Sequence, residues 1–171
     1  MANKATRMLS NMSGQEKEQI IIKVGHIDET ATPLKQARYI NNFLCAAEEM
    51  GVKTKNCMRK CGSDCISNNA IKIAKKLYSK SANISEFLEK LNEADIGGRN
   101  LHLDNGHIIG IYKKCYCNIP KKVDVINQNY CECSAGWFEA LFSTVFDKKV
   151  KVTIIDTITN GAPECTFRIA Y

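Results

Sequence analysis

The hydrophobic pattern of this chain changes period at Gly97-Gly98. Before that pair, apolar residues recur at intervals of three and four, the spacing of one helix face. After it they alternate, the spacing of one strand face. Thr32-Pro33 opens the clearest helix, since threonine caps and proline fits the first turn. Leu34, Ala37, Ile40, Phe43, Leu44 and Ala47 follow before Gly51 ends it. Residues 68–80 repeat the pattern through Ala70, Ile71, Ala74, Leu77 and Tyr78, and residues 85–93 through Phe87, Leu88 and Leu91. Residues 15–24 form a further short helix candidate. Beyond the glycine pair, residues 101–103 and 107–112 flank Asp104-Asn105-Gly106, a hairpin signal. Ser134 is expected to cap a helix through Trp137, Phe138, Leu141, Phe142 and Val145. Val150, Val152 and Ile154, then Cys165, Phe167 and Ile169, alternate about a turn at Asn160-Gly161.

Strands that arrive as local hairpins argue against a doubly wound parallel sheet, which needs long crossovers. The expected class is α+β, with N-terminal helices packed on an antiparallel sheet formed from C-terminal hairpins. Residues 1–14 are polar and read as a flexible N-terminal arm. Residues 15–171 read as a single domain, helical over 15–96 and a sheet with one helix over 97–171.

Composition excludes several classes of function. With 44% hydrophobic and 25% charged residues the chain is globular rather than disordered. The net charge of +6 comes from basic residues scattered in pairs, so no nucleic-acid-binding face is expected. No run of about 18 apolar residues exists, which argues against a membrane helix. Residues 1–14 carry only Met8-Leu9 as an apolar core, which is not a secretory signal, so a cytoplasmic location is expected. No glycine-rich phosphate loop is present.

Nine cysteines are the unusual count. An odd number without a signal peptide does not suit a secreted disulfide scaffold. Clustered thiols in a reducing compartment more often bind metal or carry redox chemistry. Cys115-Tyr116-Cys117 and Cys131-Glu132-Cys133 lie within nineteen residues. On strands, residues i and i+2 face one side, so each pair would aim two sulfurs at one point and together form a four-thiolate zinc or iron site. Lys113, Lys114, Lys121 and Lys122 would offset its negative charge. Cys57, Cys61 and Cys65 form a second set. If helical, spacings of four put the three sulfurs on one face, although Gly62 interrupts the run. Such a set suits an iron–sulfur cluster or a catalytic metal, completed by Cys165 or Cys45. Buried free thiols and a redox pair are the alternatives for both sets. Cys45 alone reads as a small buried hydrophobe. His26, His102 and His107, and the acids Glu132, Glu139, Asp156 and Glu164, read as solvated or satisfied polar groups.

The stretch from Tyr130 through Cys131, Cys133, Ser134, Gly136 and Trp137, the strand at 150–154, and Asn160-Gly161 with Cys165-x-Phe167 resembles the 4-vinyl-reductase-like small-molecule-binding domain. The resemblance implies an α+β fold, often a homodimer, with a hydrophobic pocket for an aromatic, acyl or pyrrole-type ligand. Trp137 and Phe138 are the expected pocket residues. In aromatic-sensing relatives of that domain, cysteines near this motif hold zinc. Cys131 or Cys133, with Cys165, match those positions here. The relatives' additional cysteine falls on Thr157, for which Cys115 or Cys117 would substitute. A more distant similarity is to aminothiazoline-carboxylate hydrolases. The leading expectation is therefore a sensor-like domain that holds zinc or an iron–sulfur cluster and binds a small hydrophobic molecule. The alternative is a metal-dependent hydrolase or reductase acting on a small heterocyclic or sulfur-containing substrate.

Overall fold

The computed structural model describes residues 3–171. The chain runs through α1 (Lys4–Ser10), α2 (Gly14–Val24), α3 (Pro33–Glu49), α4 (Lys55–Ser63), α5 (Asn68–Tyr78) and α6 (Ile84–Glu93) before its first strand. Then come β1 (Leu101–Asp104), β2 (His107–Tyr112), α7 (Glu132–Phe146), β3 (Lys151–Asp156) and β4 (Cys165–Ala170). The strands form one antiparallel sheet in the order β1-β2-β4-β3. The class is α+β, as the change of period at the glycine pair predicts.

Local chemistry accounts for most element ends. Thr32 caps α3 through a bond from the Lys35 N–H, with Pro33 in the first turn. Asn105 and Gly106 both take positive φ, which suits the tight turn between β1 and β2. Asn83 caps α6 by accepting the Glu86 N–H at 3.0 Å, and Glu86 in turn accepts the Ala82 N–H at 2.6 Å. Asn83→Ala is expected to cost about 1 kcal/mol and to lower Tm by roughly 2–4 °C. An unchanged melting curve would show that this cap adds nothing.

Three expectations are corrected. Residues 4–10, expected within a loose arm, form a helix capped by the Asn3 side chain, with Ala5 and Met8 fully buried; residues 1 and 2 lie outside the described residues. Gly62 does not break α4 but lies inside it. Ser134 is not the cap of α7, which begins at Glu132 with Cys131 before it.

Helix α7 lies at the centre of the fold. Ala135, Phe138, Leu141, Phe142 and Val145 join the core built by α5, α6 and the sheet. Cys133 joins the second core, built by α1 to α4. Contact with α4 is a backbone-to-backbone approach. A Cβ on Gly62 would stand 1.9 Å from the Cys133 carbonyl oxygen, and one on Gly136 would stand 1.9 Å from that of Arg59. The two glycines thus let the helices cross with no side chain between them. That crossing sets the end of α4, with Cys61 and Cys65, against the first turn of α7, with Cys133.

Candidate functional site

The cysteines sort into two sets, and the division differs from the pairing expected on strands. Cys131 and Cys133 straddle the start of a helix, where residues two apart point about 200° away from each other. Cys133 faces α1 and α4, and Cys131 faces Thr159. The 115–117 segment is not a strand and also divides. Cys117 is bonded to Lys4 and Tyr130, while Cys115 lies near Cys131 and Cys165.

The first set is Cys61, Cys65 and Cys133, brought together by the α4–α7 crossing closely enough for each thiol to shift the acidity of the others. Hydrogen bonds donated by Cys133 and Cys61 hold the Cys65 thiol well below its usual range, with Lys4 and Arg7 adding to the effect. The reciprocal bonds, with burial, push Cys61 far up. Cys133 is also raised: its bond from Cys61 works the other way, but its bond to Cys65 and its burial outweigh that. Of the three, Cys65 is the thiol favoured to ionise. The Arg7 guanidinium lies 3.1 Å from the Cys65 sulfur.

Lys4 closes the set from the other side. Its ammonium is 3.4 Å from the Cys117 sulfur and 4.5 Å from the centre of the Tyr130 ring. Burial works to lower its pKa, yet Cys133, Tyr130 and Cys117 hold it well above its usual value. The Tyr130 hydroxyl lies 2.7 Å from the same Cys117 sulfur. Cys57, one turn before Cys61, stays outside the set. It donates to the Met8 carbonyl at 3.1 Å, and burial pushes its thiol up to about 11.

Lys4, Cys65, Cys117 and Cys133 line a cavity of about 430 Å³ whose walls include Tyr112, Tyr116, Trp137, Gly97 and Gly98. Tyr112 meets Tyr116 edge to face at 5.1 Å, and the Tyr116 hydroxyl donates to the Gly98 carbonyl at 3.4 Å. Gly98 has φ +87° and a Cβ there would fall 2.5 Å from the Tyr112 ring. Both facts call for glycine, so the ring can form the wall. Trp137 is half-buried against the cavity. Phe138, expected beside it as a pocket residue, is instead fully buried in the core between Tyr112, Phe142 and Phe167. A groove of about 480 Å³ near Glu48, Lys53 and Lys55 is comparable in size, but no thiol or aromatic ring lines it. The 430 Å³ cavity is therefore the candidate site.

The second set is Cys115, Cys131 and Cys165. Cys131 lies 3.0 Å from the Thr159 hydroxyl, which is itself 3.0 Å from that of Thr157. The Cys165 sulfur accepts the Ile158 N–H at 3.3 Å. Burial pushes Cys131 up to about 11 and raises Cys165, so both are neutral thiols at neutral pH. Thr157, just beyond the irregular end of β3, is buried beside this set through its bond to Thr159. The zinc implied by the resemblance does not fit here: Thr157 offers a hydroxyl where the relatives have a thiolate, and the sulfurs present are spent in hydrogen bonds. Among the described residues no group of three or more histidine, cysteine or acidic side chains is arranged to hold a metal ion. Cys45, expected to be buried, is exposed.

Lys4, Arg7, Tyr112, Tyr116 and Tyr130 are site residues that sequence reasoning missed. Their signal was weak but present: Ala5 and Met8 are three apart, and Lys4 and Arg7 share that spacing on the same short helix.

Comparison with known proteins adds the family. The family of unknown function DUF6144 matches residues 9–171. The chain belongs to DUF6144. No curated protein matches. Among solved structures, this DUF6144 chain is similar to the phenol-responsive sensory domain of the transcription activator PoxR, solved with phenol. The TM-score is 0.51 at 10% identity, covering 92% of this chain and 90% of that one. The likeness is one of fold. Among the described residues no helix is long and apolar enough to cross a membrane.

Proposed function

We propose that this DUF6144 domain is a sensor-like module that binds a small aromatic or hydrophobic molecule in the cavity between β2, α7 and the end of α4. The observation that carries the reading is the lining itself. Tyr112, Tyr116 and Trp137 face a floor of Cys65, Cys117 and Cys133 around about 430 Å³, a volume within the ~300–1,000 Å³ typical of small-molecule sites. Support comes from the fold shared with a phenol-responsive sensory domain and from the residues that resemble 4-vinyl-reductase-like domains. Flat rings suit an aromatic guest through offset and edge-to-face contacts. Lys4 and the thiols give the space a polar end that would orient a phenolic hydroxyl or a carbonyl, and Asp95 and Ser134 also line it.

Trp137 is the single tryptophan, so its fluorescence reports directly on this cavity. Titration with phenol and substituted phenols is expected to give a saturable change in that emission. Tyr116→Ala removes an exposed wall residue with little risk to the core, and is expected to weaken binding roughly tenfold, about 1.4 kcal/mol. Emission that never saturates, or equal affinity in the variant, would refute the assignment of the pocket.

A further inference from the structure

We propose that Cys65 captures electrophilic guests covalently: an aromatic α,β-unsaturated carbonyl entering the cavity adds to its sulfur. This rests on the pocket reading above and names the chemistry of its floor. The three adjoining thiols are not equivalent. Cys61 is fully buried and Cys133 nearly so, whereas Cys65 is exposed and lines the cavity. Cys65 and Cys133 both line the cavity, but of the two only Cys65 is exposed, while Cys61 is not among the lining residues. Arg7 lies 3.1 Å from that sulfur on one side, and the aromatic walls lie across the space. A guest with a ring conjugated to an alkene and a carbonyl offers a flat face to Tyr112, Tyr116 and Trp137 and a soft carbon to the thiolate.

The step balances without any further reagent. The Cys65 sulfur forms a bond to the β-carbon of the alkene, and the π pair moves through the α-carbon onto the carbonyl oxygen. The enolate then takes the proton of the Cys133 thiol at its α-carbon. The negative charge thereby passes from Cys65 to Cys133, which is close enough to Lys4 for its charge to be felt there. Charge leaves the Arg7 side and arrives on the Lys4 side, so a cation is in place both before and after addition. The reverse sequence releases the guest, as a sensor requires.

The test uses the full chain, reduced and treated with chelator, and benzylideneacetone as the electrophile. Its saturated analogue benzylacetone serves as a guest that cannot react. Adduct formation is followed by intact mass and mapped by peptide digestion, with the exposed Cys45 as the internal reference thiol. The expected result is one adduct, on Cys65, forming at least tenfold faster than any on Cys45. Benzylacetone should slow it, and Cys133→Ala should slow it severalfold. Cys61→Ala provides a second variant should the first fail to fold. Labelling of Cys45 at an equal or greater rate would overturn the proposal. So would a Cys65 rate indifferent to benzylacetone. If benzylacetone shifts Trp137 emission while no Cys65 adduct forms, covalent capture fails and the pocket stands. If the protein is purified with a stoichiometric thiophilic metal, and Cys65 reacts only after chelation, the thiols serve an ion and the proposal is overturned.

Discussion

Gly136→Ala is expected to destabilise the protein by about 2–3 kcal/mol and to lower Tm by roughly 5–10 °C. Two effects oppose each other. Alanine is the better helix former by about 1 kcal/mol, which alone would raise stability. Against it, the new Cβ would stand 1.9 Å from the Arg59 carbonyl oxygen and 2.5 Å from the Arg59 carbonyl carbon and Cα. Those are backbone atoms, so no rotamer change relieves the clash. An ordinary C···O separation is about 3.3 Å, so α4 must move away from α7 by more than ~1 Å. Both helices are anchored in cores on either side, and packed interiors resist such displacement. Packing therefore outweighs propensity. Moving α4 also carries Cys61 and Cys65 away from Cys133, so the variant should lose the low thiol pKa of Cys65 along with its stability. Thermal unfolding and thiol labelling across pH check both parts. A variant as stable as the parent would show that the two helices are not held at their closest approach.

That crossing also marks where sequence reading stops. Periodicity located the helices and hairpins because each follows from spacing within one segment: the cap at Thr32, the Asn105-Gly106 turn and the alternation from Val150 to Ile154 are local facts. Gly62 was legible only as a breaker, since the reason for it lies seventy residues away at Cys133. The two Cys-x-Cys pairs invited a strand reading that aims both sulfurs together. A helix start at Glu132 instead sends them to opposite sides, and the true neighbours of Cys133 come from α4. The thiols did converge from separate stretches, but in a partition that spacing could not reveal. Lys4 was invisible for a similar reason. A lysine near a polar terminus reads as solvated, and only the burial of Ala5 and Met8 beneath α1 brings it to Cys117.

A charged network braces the same crossing. Arg59, on α4, donates to the Glu132 carboxylate at 2.8 Å and to the Val152 carbonyl at 3.0 Å, and is also paired with Glu139. One side chain thus ties α4 to the first and second turns of α7 and to β3. The Glu132 side chain is only 7% exposed, so its charge has little access to water. Lys55 reaches the other carboxylate oxygen at 3.0 Å but is itself mostly exposed, so it neutralises Glu132 weakly. Arg59→Ala would leave a nearly buried carboxylate with that single screened partner. Removing one member of a buried pair costs about 3–5 kcal/mol; because Lys55 remains, about 3 kcal/mol is expected. The charge itself need not be stabilising, since apolar replacements of whole buried pairs are often neutral. Arg59→Met combined with Glu132→Leu should therefore recover most of the loss in a denaturant titration, while Arg59→Met alone should not. Equal losses in the single and double variants would mean that the arginine matters through its bond to Val152 and its packed stem rather than through the carboxylate it faces.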